Sequence, residues 1–166
     1  AWRLWQYLLP PVVKEQMQAS LGLADPEHAG RWIAFFAGLH DLGKASPAFA
    51  FKWPGAAERL VAEGFRPPGE RQSFPHGFIT AHRMRKVLSR FGVPRSSAVA
   101  IGRAVGGHHG LFPDPQSMER AVDYAGGKRW RDAQDDLAAV LAHVLMVDAL
   151  PPPTGDLLQD GAFLIR

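Results

Sequence analysis

The chain has no cysteine, which excludes disulfides, zinc ribbons and thiol nucleophiles from its chemistry. No apolar run approaches the roughly 20 residues that a membrane-spanning helix needs. The first residues also lack the pattern of a signal peptide, so a cytoplasmic location with no membrane partner is expected. Alternating apolar and polar runs, internal repeats and low-complexity tracts are missing too. What remains is 46% hydrophobic and 21% charged, the make-up of an ordinary folded domain. At 166 residues, the simplest organisation is one domain with a sizeable core.

The formal net charge of +3 suits an anionic substrate without demonstrating one. Its distribution says more. Arg83, Arg85, Lys86, Arg90, Arg95 and Arg103 fall within 21 positions that hold no acidic residue. Such a stretch is either a solvated helix face or an electrostatic track for a phosphate backbone.

The punctuation of the chain is helical. Trp2, Trp5, Leu8 and Leu9 suggest a turn or two, broken at Pro10-Pro11 and resumed until Gly22. Asp25-Pro26-Glu27 combines a capping carboxylate, a first-turn proline and an acidic residue, which predicts a helix running through Trp32, Phe35 and Leu39 to His40-Asp41. Ser46-Pro47 opens a short helix, residues 64–75 read as a loop, and further helices are expected over Gly77 to Phe91 and Arg95 to Val105. Asp114-Pro115 opens another, and the last spans roughly Arg131 to Leu150. The fold class expected is all-α, a compact orthogonal bundle.

Candidate chemistry begins at Gly38-Leu39-His40-Asp41-Leu42-Gly43-Lys44. His40 and Asp41 put a nitrogen and an oxygen ligand side by side, and a carboxylate has two oxygens with which to bridge a pair of cations. Two more histidine segments follow, Phe74-Pro75-His76-Gly77 and Gly106-Gly107-His108-His109-Gly110. The glycines around the double histidine permit a close backbone approach. Three other histidines are set aside. His28 lies too far along its helix from His40, His82 is expected on the surface, and His143 in the core or at its boundary. A sulfur-free set of His40, Asp41, His76, His108 and His109 suits manganese, iron, cobalt, nickel or zinc better than magnesium. Lys44, three residues after Asp41, can return to the same face.

These motifs resemble the HD superfamily of metal-dependent phosphohydrolases. More narrowly, they resemble the HD nuclease domain of the CRISPR-associated helicase–nuclease of type I interference. Leu39-His40-Asp41-Leu42-Gly43-Lys44-Ala45-Ser46-Pro47-Ala48-Phe49 is the longest match, and its Ala-Ser-Pro-Ala-Phe continuation is characteristic of that branch. Phe74-Pro75-His76 with Thr80, and Gly107-His108-His109-Gly110, resemble its later motifs.

The resemblance implies an HD-type bundle over residues 1–166, truncated at both ends. An upstream metal histidine has no counterpart, and a late aspartate is expected beyond Gly161–Arg166, with Asp148 the candidate inside the chain. It implies hydrolysis of phosphodiester bonds in single-stranded DNA with one or two divalent transition metal ions (Mn, Fe, Co or Ni). His40 and Asp41 would hold one ion, and Asp41, His76, His108 and His109 the other. Asp41 and Lys44 would carry the catalysis. The implied partners are single-stranded DNA, a fused or separate helicase domain and the CRISPR RNA-guided surveillance complex. Two other functions stay open: an HD phosphohydrolase acting on nucleotides or cyclic dinucleotides, and a non-catalytic metal-binding interaction module.

Overall fold

The computed structural model describes residues 1–69 and 73–150. Its order is α1 (Trp2–Tyr7), α2 (Pro11–Leu21), α3 (Pro26–Leu39), a 3-10 turn (Leu42–Lys44), α4 (Pro47–Ala50), α5 (Pro54–Ala62), α6 (His76–Ser89), α7 (Arg95–Gly106), α8 (Pro115–Arg120), a 3-10 turn (Ala121–Asp123) and α9 (Lys128–Leu145). There is no strand among the described residues. None of their helices is long and apolar enough to cross a membrane.

Local chemistry accounts for most of the boundaries. Proline stands at the start of α2, α3, α4, α5 and α8, where its missing N–H costs nothing. Asp25 caps α3 by accepting from the N–H groups of Glu27 and His28 at 3.0 and 3.2 Å. Gly22, at φ 65°, closes α2 in the left-handed conformation.

Two elements differ from expectation. α5 has no buried residue, so no apolar period announces it. α9 stops at Leu145 because Met146 turns left-handed at φ 51°. Val147 and Leu150 then turn into the core as irregular chain, with the Leu150 N–H bonded to Phe91 O at 3.2 Å.

The core is built on α3. Trp32 and Phe35 are fully buried, and Phe91 stands edge-on to Trp32 at 5.3 Å. Met84, Val87 and Leu88 from α6, Val105 from α7 and Ala138 and Ala142 from α9 close around them. Burial of this apolar surface supplies the main driving force for the fold.

The basic stretch is not one track. Arg83 is 2% exposed and pairs with Asp135 Oδ1 at 2.6 Å, while Arg90 takes Asp135 Oδ2 at 2.6 Å. Arg103 Nε donates to Pro113 O at 2.7 Å. Half of the six cations therefore serve internal contacts, binding α6 to α9 and α7 to the loop before α8. A buried guanidinium needs such a partner, because burying a lone charge is costly.

Candidate metal centre

α3 ends at Leu39, and Asp41 has already left helical geometry, at φ −102° and ψ 13°. Consecutive side chains that a helix would splay apart can therefore share one space. Thr80 of α6 fixes this turn: its hydroxyl donates to His40 O at 3.0 Å and accepts from the Gly43 N–H at 2.9 Å. The turn docks so closely that a Cβ on Gly43 would lie 2.0 Å from His76 O. Only glycine fits there, and the first turn of α6, with His76 at its head, is pressed onto the His-Asp segment.

The double histidine arrives by a second close approach. A Cβ on Gly77 would sit 2.2 Å from Gly106 O, and one on Gly106 would sit 2.3 Å from Gly77 O. α6 and α7 thus meet backbone to backbone at the level of His76. α7 then ends and the chain turns, with the Gly110 N–H bonded to Gly107 O at 2.7 Å. His108 and His109 emerge from this turn opposite His76, their rings 5.3 and 5.1 Å from its own.

Four side chains converge on Asp41, and His109 joins the cluster through His76 and His108. Its Oδ1 faces His76 Nε2 at 3.0 Å and His108 Nε2 at 3.5 Å. Its Oδ2 faces His40 Nε2 at 3.1 Å and Lys44 Nζ at 2.7 Å. Possible ligand atoms fall into two overlapping groups, His76–His108–His109 and His40–Asp41–His108, each within 4.8 Å.

Proton placement shows what this arrangement suits. His40 Nδ1 lies 2.6 Å from Ala37 O, and His108 Nδ1 lies 3.0 Å from Val105 O. A carbonyl only accepts, so each Nδ1 carries a hydrogen at that contact, and each ring turns its Nε2 toward Asp41. Fixing a metal-binding imidazole through its other nitrogen is the usual outer-shell device.

Burial pushes the His76 and His108 imidazoles below their ordinary value. For His76, the Asp41 carboxylate pulls back upward; for His108, its bond to Val105 O does. Burial also raises the Asp41 carboxyl. The Lys44 hydrogen bond and the charges of His40, Lys44 and His76 outweigh it, leaving Asp41 below the usual carboxylate range. Three imidazole Nε2 atoms therefore crowd around one carboxylate. Asp41 Oδ1 is buried and lacks a well-angled hydrogen bond, although His76 Nε2 lies within ion-pair distance. A buried carboxylate oxygen without a hydrogen bond, among imidazole nitrogens, is a place a cation would stabilise, and the nitrogen and oxygen donor set fits a divalent transition metal.

The remaining candidates fall elsewhere. Asp148 pairs with His28 at 2.9 Å, and His28 belongs to the first turn of α3, at the opposite end from His40. Asp148 therefore does not supply a ligand to this cluster. His82 is partly buried rather than superficial, with Nδ1 3.0 Å from Met118 O. His143 is exposed rather than at the core, because the face of α9 that carries it points outward. The expectation for Gly161–Arg166 lies outside the described residues. Lys44 does return to the Asp41 face, but its ammonium is engaged by the carboxylate.

Gln134 escaped the sequence reading. It is fully buried on α9 and donates to Ala45 O at 2.6 Å and Ala125 O at 3.0 Å, steadying the chain just after Lys44. A glutamine on an amphipathic helix gives no sign of burial in the sequence.

Comparison with known proteins identifies the family. The family model described as Cas3, HD domain, matches residues 1–164. A curated relative, the CRISPR-associated endonuclease/helicase Cas3 of Thermus thermophilus, is 36% identical over 113 residues, covering 68% of this chain and 12% of the relative. The crystal structure of a CRISPR-associated protein superposes with a TM-score of 0.83 at 34% identity, over 99% of this chain and 19% of that one. The T. thermophilus Cas3 HD domain, crystallised in the presence of Ni2+, gives a TM-score of 0.66 at 26% identity, over 93% of this chain and 59% of that one. The chain thus spans about an eighth of the curated relative's length, and over that span it belongs to the Cas3 HD-domain family.

Proposed function

We propose that this domain hydrolyses phosphodiester bonds in single-stranded DNA with the help of divalent transition metal ions, as the nuclease part of a CRISPR interference effector. One observation carries the reading. Asp41 presents one carboxylate oxygen to His76 and His108 and the other to His40 and Lys44. A carboxylate that faces imidazoles with each of its oxygens can serve two cations, as a two-metal phosphoryl-transfer site would need.

Asp41, His76, His108 and His109 would hold one ion, and Asp41 with His40 would contribute to a second. Bound there, such ions supply an activated water and offset charge on the phosphate and leaving oxygens. The chain's own residues do the rest. Nδ1–H bonds to Ala37 O and Val105 O hold His40 and His108 in the tautomer that offers Nε2. Thr80 locks the turn bearing Asp41. Lys44 keeps an ammonium at the same face, a compact point charge suited to a phosphate oxygen. The relative of T. thermophilus is named as an endonuclease/helicase, which supports a fused or separate helicase partner. A CRISPR RNA-guided surveillance complex and a cytoplasmic setting complete the proposal.

The test is a cleavage assay on the full-length protein with manganese or nickel, comparing single-stranded DNA with mononucleotides and cyclic dinucleotides. Cleavage of DNA is expected, and Asp41→Ala should reduce it by at least about a hundredfold while the fold persists. Wild-type cleavage by Asp41→Ala, or hydrolysis of nucleotides alone, would overturn the proposal.

A further inference from the structure

The Ala45–Phe49 run plays no part in the ligand set, yet its last residue lies against the cluster. The Phe49 ring stands edge-on to the His76 ring at 5.5 Å. Two ammonium groups flank that same ring, Lys44 Nζ at 5.5 Å and Lys52 Nζ at 5.1 Å from its centroid. Lys44 belongs to the centre itself. Lys52 is exposed, and no ion pair among the described residues involves it.

Directly after it comes Trp53, 65% exposed, at the N-terminal boundary of α5. Its indole lies beside Gly55, where a Cβ would be 3.4 Å from Nε1. One side of the ring is thus backed by the first turn of α5, and most of its surface is open. An open aromatic next in sequence to a lysine whose ammonium lies over Phe49, the ring set against His76, supplies the two elements that non-specific single-strand binders combine: a stacking face and positive charge.

We propose that Phe49, Lys52 and Trp53 form a strand-binding ledge beside the metal centre, its occupant a single-stranded polynucleotide. Trp53 stacks on a base, Lys52 meets a backbone phosphate, and Phe49 spaces both from the Lys44 side of the site. Electrostatic complementarity and continuity with the cluster favour this occupant over a protein segment. The inference rests on the nuclease reading for its choice of ligand.

The test is fluorescence anisotropy on the full chain with labelled oligo-dT and no metal added, paired with manganese titration of each variant. Trp53→Ala should raise Kd about tenfold, as loss of one base stack does. Trp53→Phe should restore it to within about twofold, and Lys52→Ala should lower the salt slope by about one. Manganese affinity should be unchanged in all three. Independently, oligo-dT bearing 5-iodouracil should photocrosslink to the peptide containing Trp53.

Unchanged Kd in Trp53→Ala, no oligo-dT binding at all, loss of manganese affinity in step with Kd, or crosslinks that avoid Trp53 would each overturn the ledge. A chain that binds oligo-dT through Trp53 but never cleaves DNA would overturn the nuclease reading instead and leave the ledge standing.

Discussion

Asp41 concentrates the electrostatics of the molecule. Three imidazole nitrogens and one ammonium lie within 3.5 Å of its two oxygens. The pH dependence of metal binding follows from the neighbours. His76 and His108 are held below the ordinary imidazole value of 6.5, chiefly by burial, and Asp41 is held below 3.8. Protons therefore compete with a metal for these nitrogens only at lower pH than for a free histidine. Manganese affinity should stay flat from pH 8 down to about 6.5. Below that it should weaken, by roughly tenfold per unit for each histidine that must shed a proton. Titrations at a series of pH values check this, and an affinity already falling between pH 8 and 7 would contradict it.

At the scale of elements, the meeting of α6 and α7 sets the site. Gly77 and Gly106 remove the side chains that would otherwise hold the two helices apart; His76 directly precedes Gly77, and His108 follows Gly106 by two residues. Gly106→Ala would place a methyl 2.3 Å from Gly77 O and 2.9 Å from Ala81 Cβ. Overpacking of this kind costs about 1–3 kcal/mol. It should also separate His76 from His108, so that thermal stability and manganese affinity fall together. Wild-type values for both in Gly106→Ala would show that the glycine contact does not position the ligands. The sequence reading anticipated close approach from the glycines flanking His108-His109, since glycine before and after a polar pair is a local signal. It did not anticipate that Gly77 is the other half of the contact, because pairing between distant helices leaves no mark on either one. The contacts of Thr80, which entered only through the resemblance, and of Gln134, which did not enter at all, were hidden for the same reason: each reaches a backbone carbonyl far away in the chain.

The molecule as a whole gathers residues from three separate segments, 40–44, 76–80 and 108–109, around one carboxylate. The helical class and most boundaries were legible because proline, Asp25 and Gly22 act within one turn of themselves. The clustering of His40, Asp41, His76, His108 and His109 was legible because three histidine motifs stand in one chain and a resemblance tied them together. The burial of Arg83 was not legible, since a cation paired with Asp135 across 52 residues reads like any other surface charge. The exposure of His143 was misread too, because Leu137, Val140 and Val144 around it stand in solvent instead of packing inward.

The central claim is that Asp41 and its histidines form a divalent-metal site, and calorimetric titration of the metal-free chain with manganese tests it most directly. Stoichiometric binding is expected, abolished by Asp41→Ala and by His76→Ala while both variants keep their helical content. An absence of binding heat, or an isotherm that Asp41→Ala leaves unchanged, would contradict the claim.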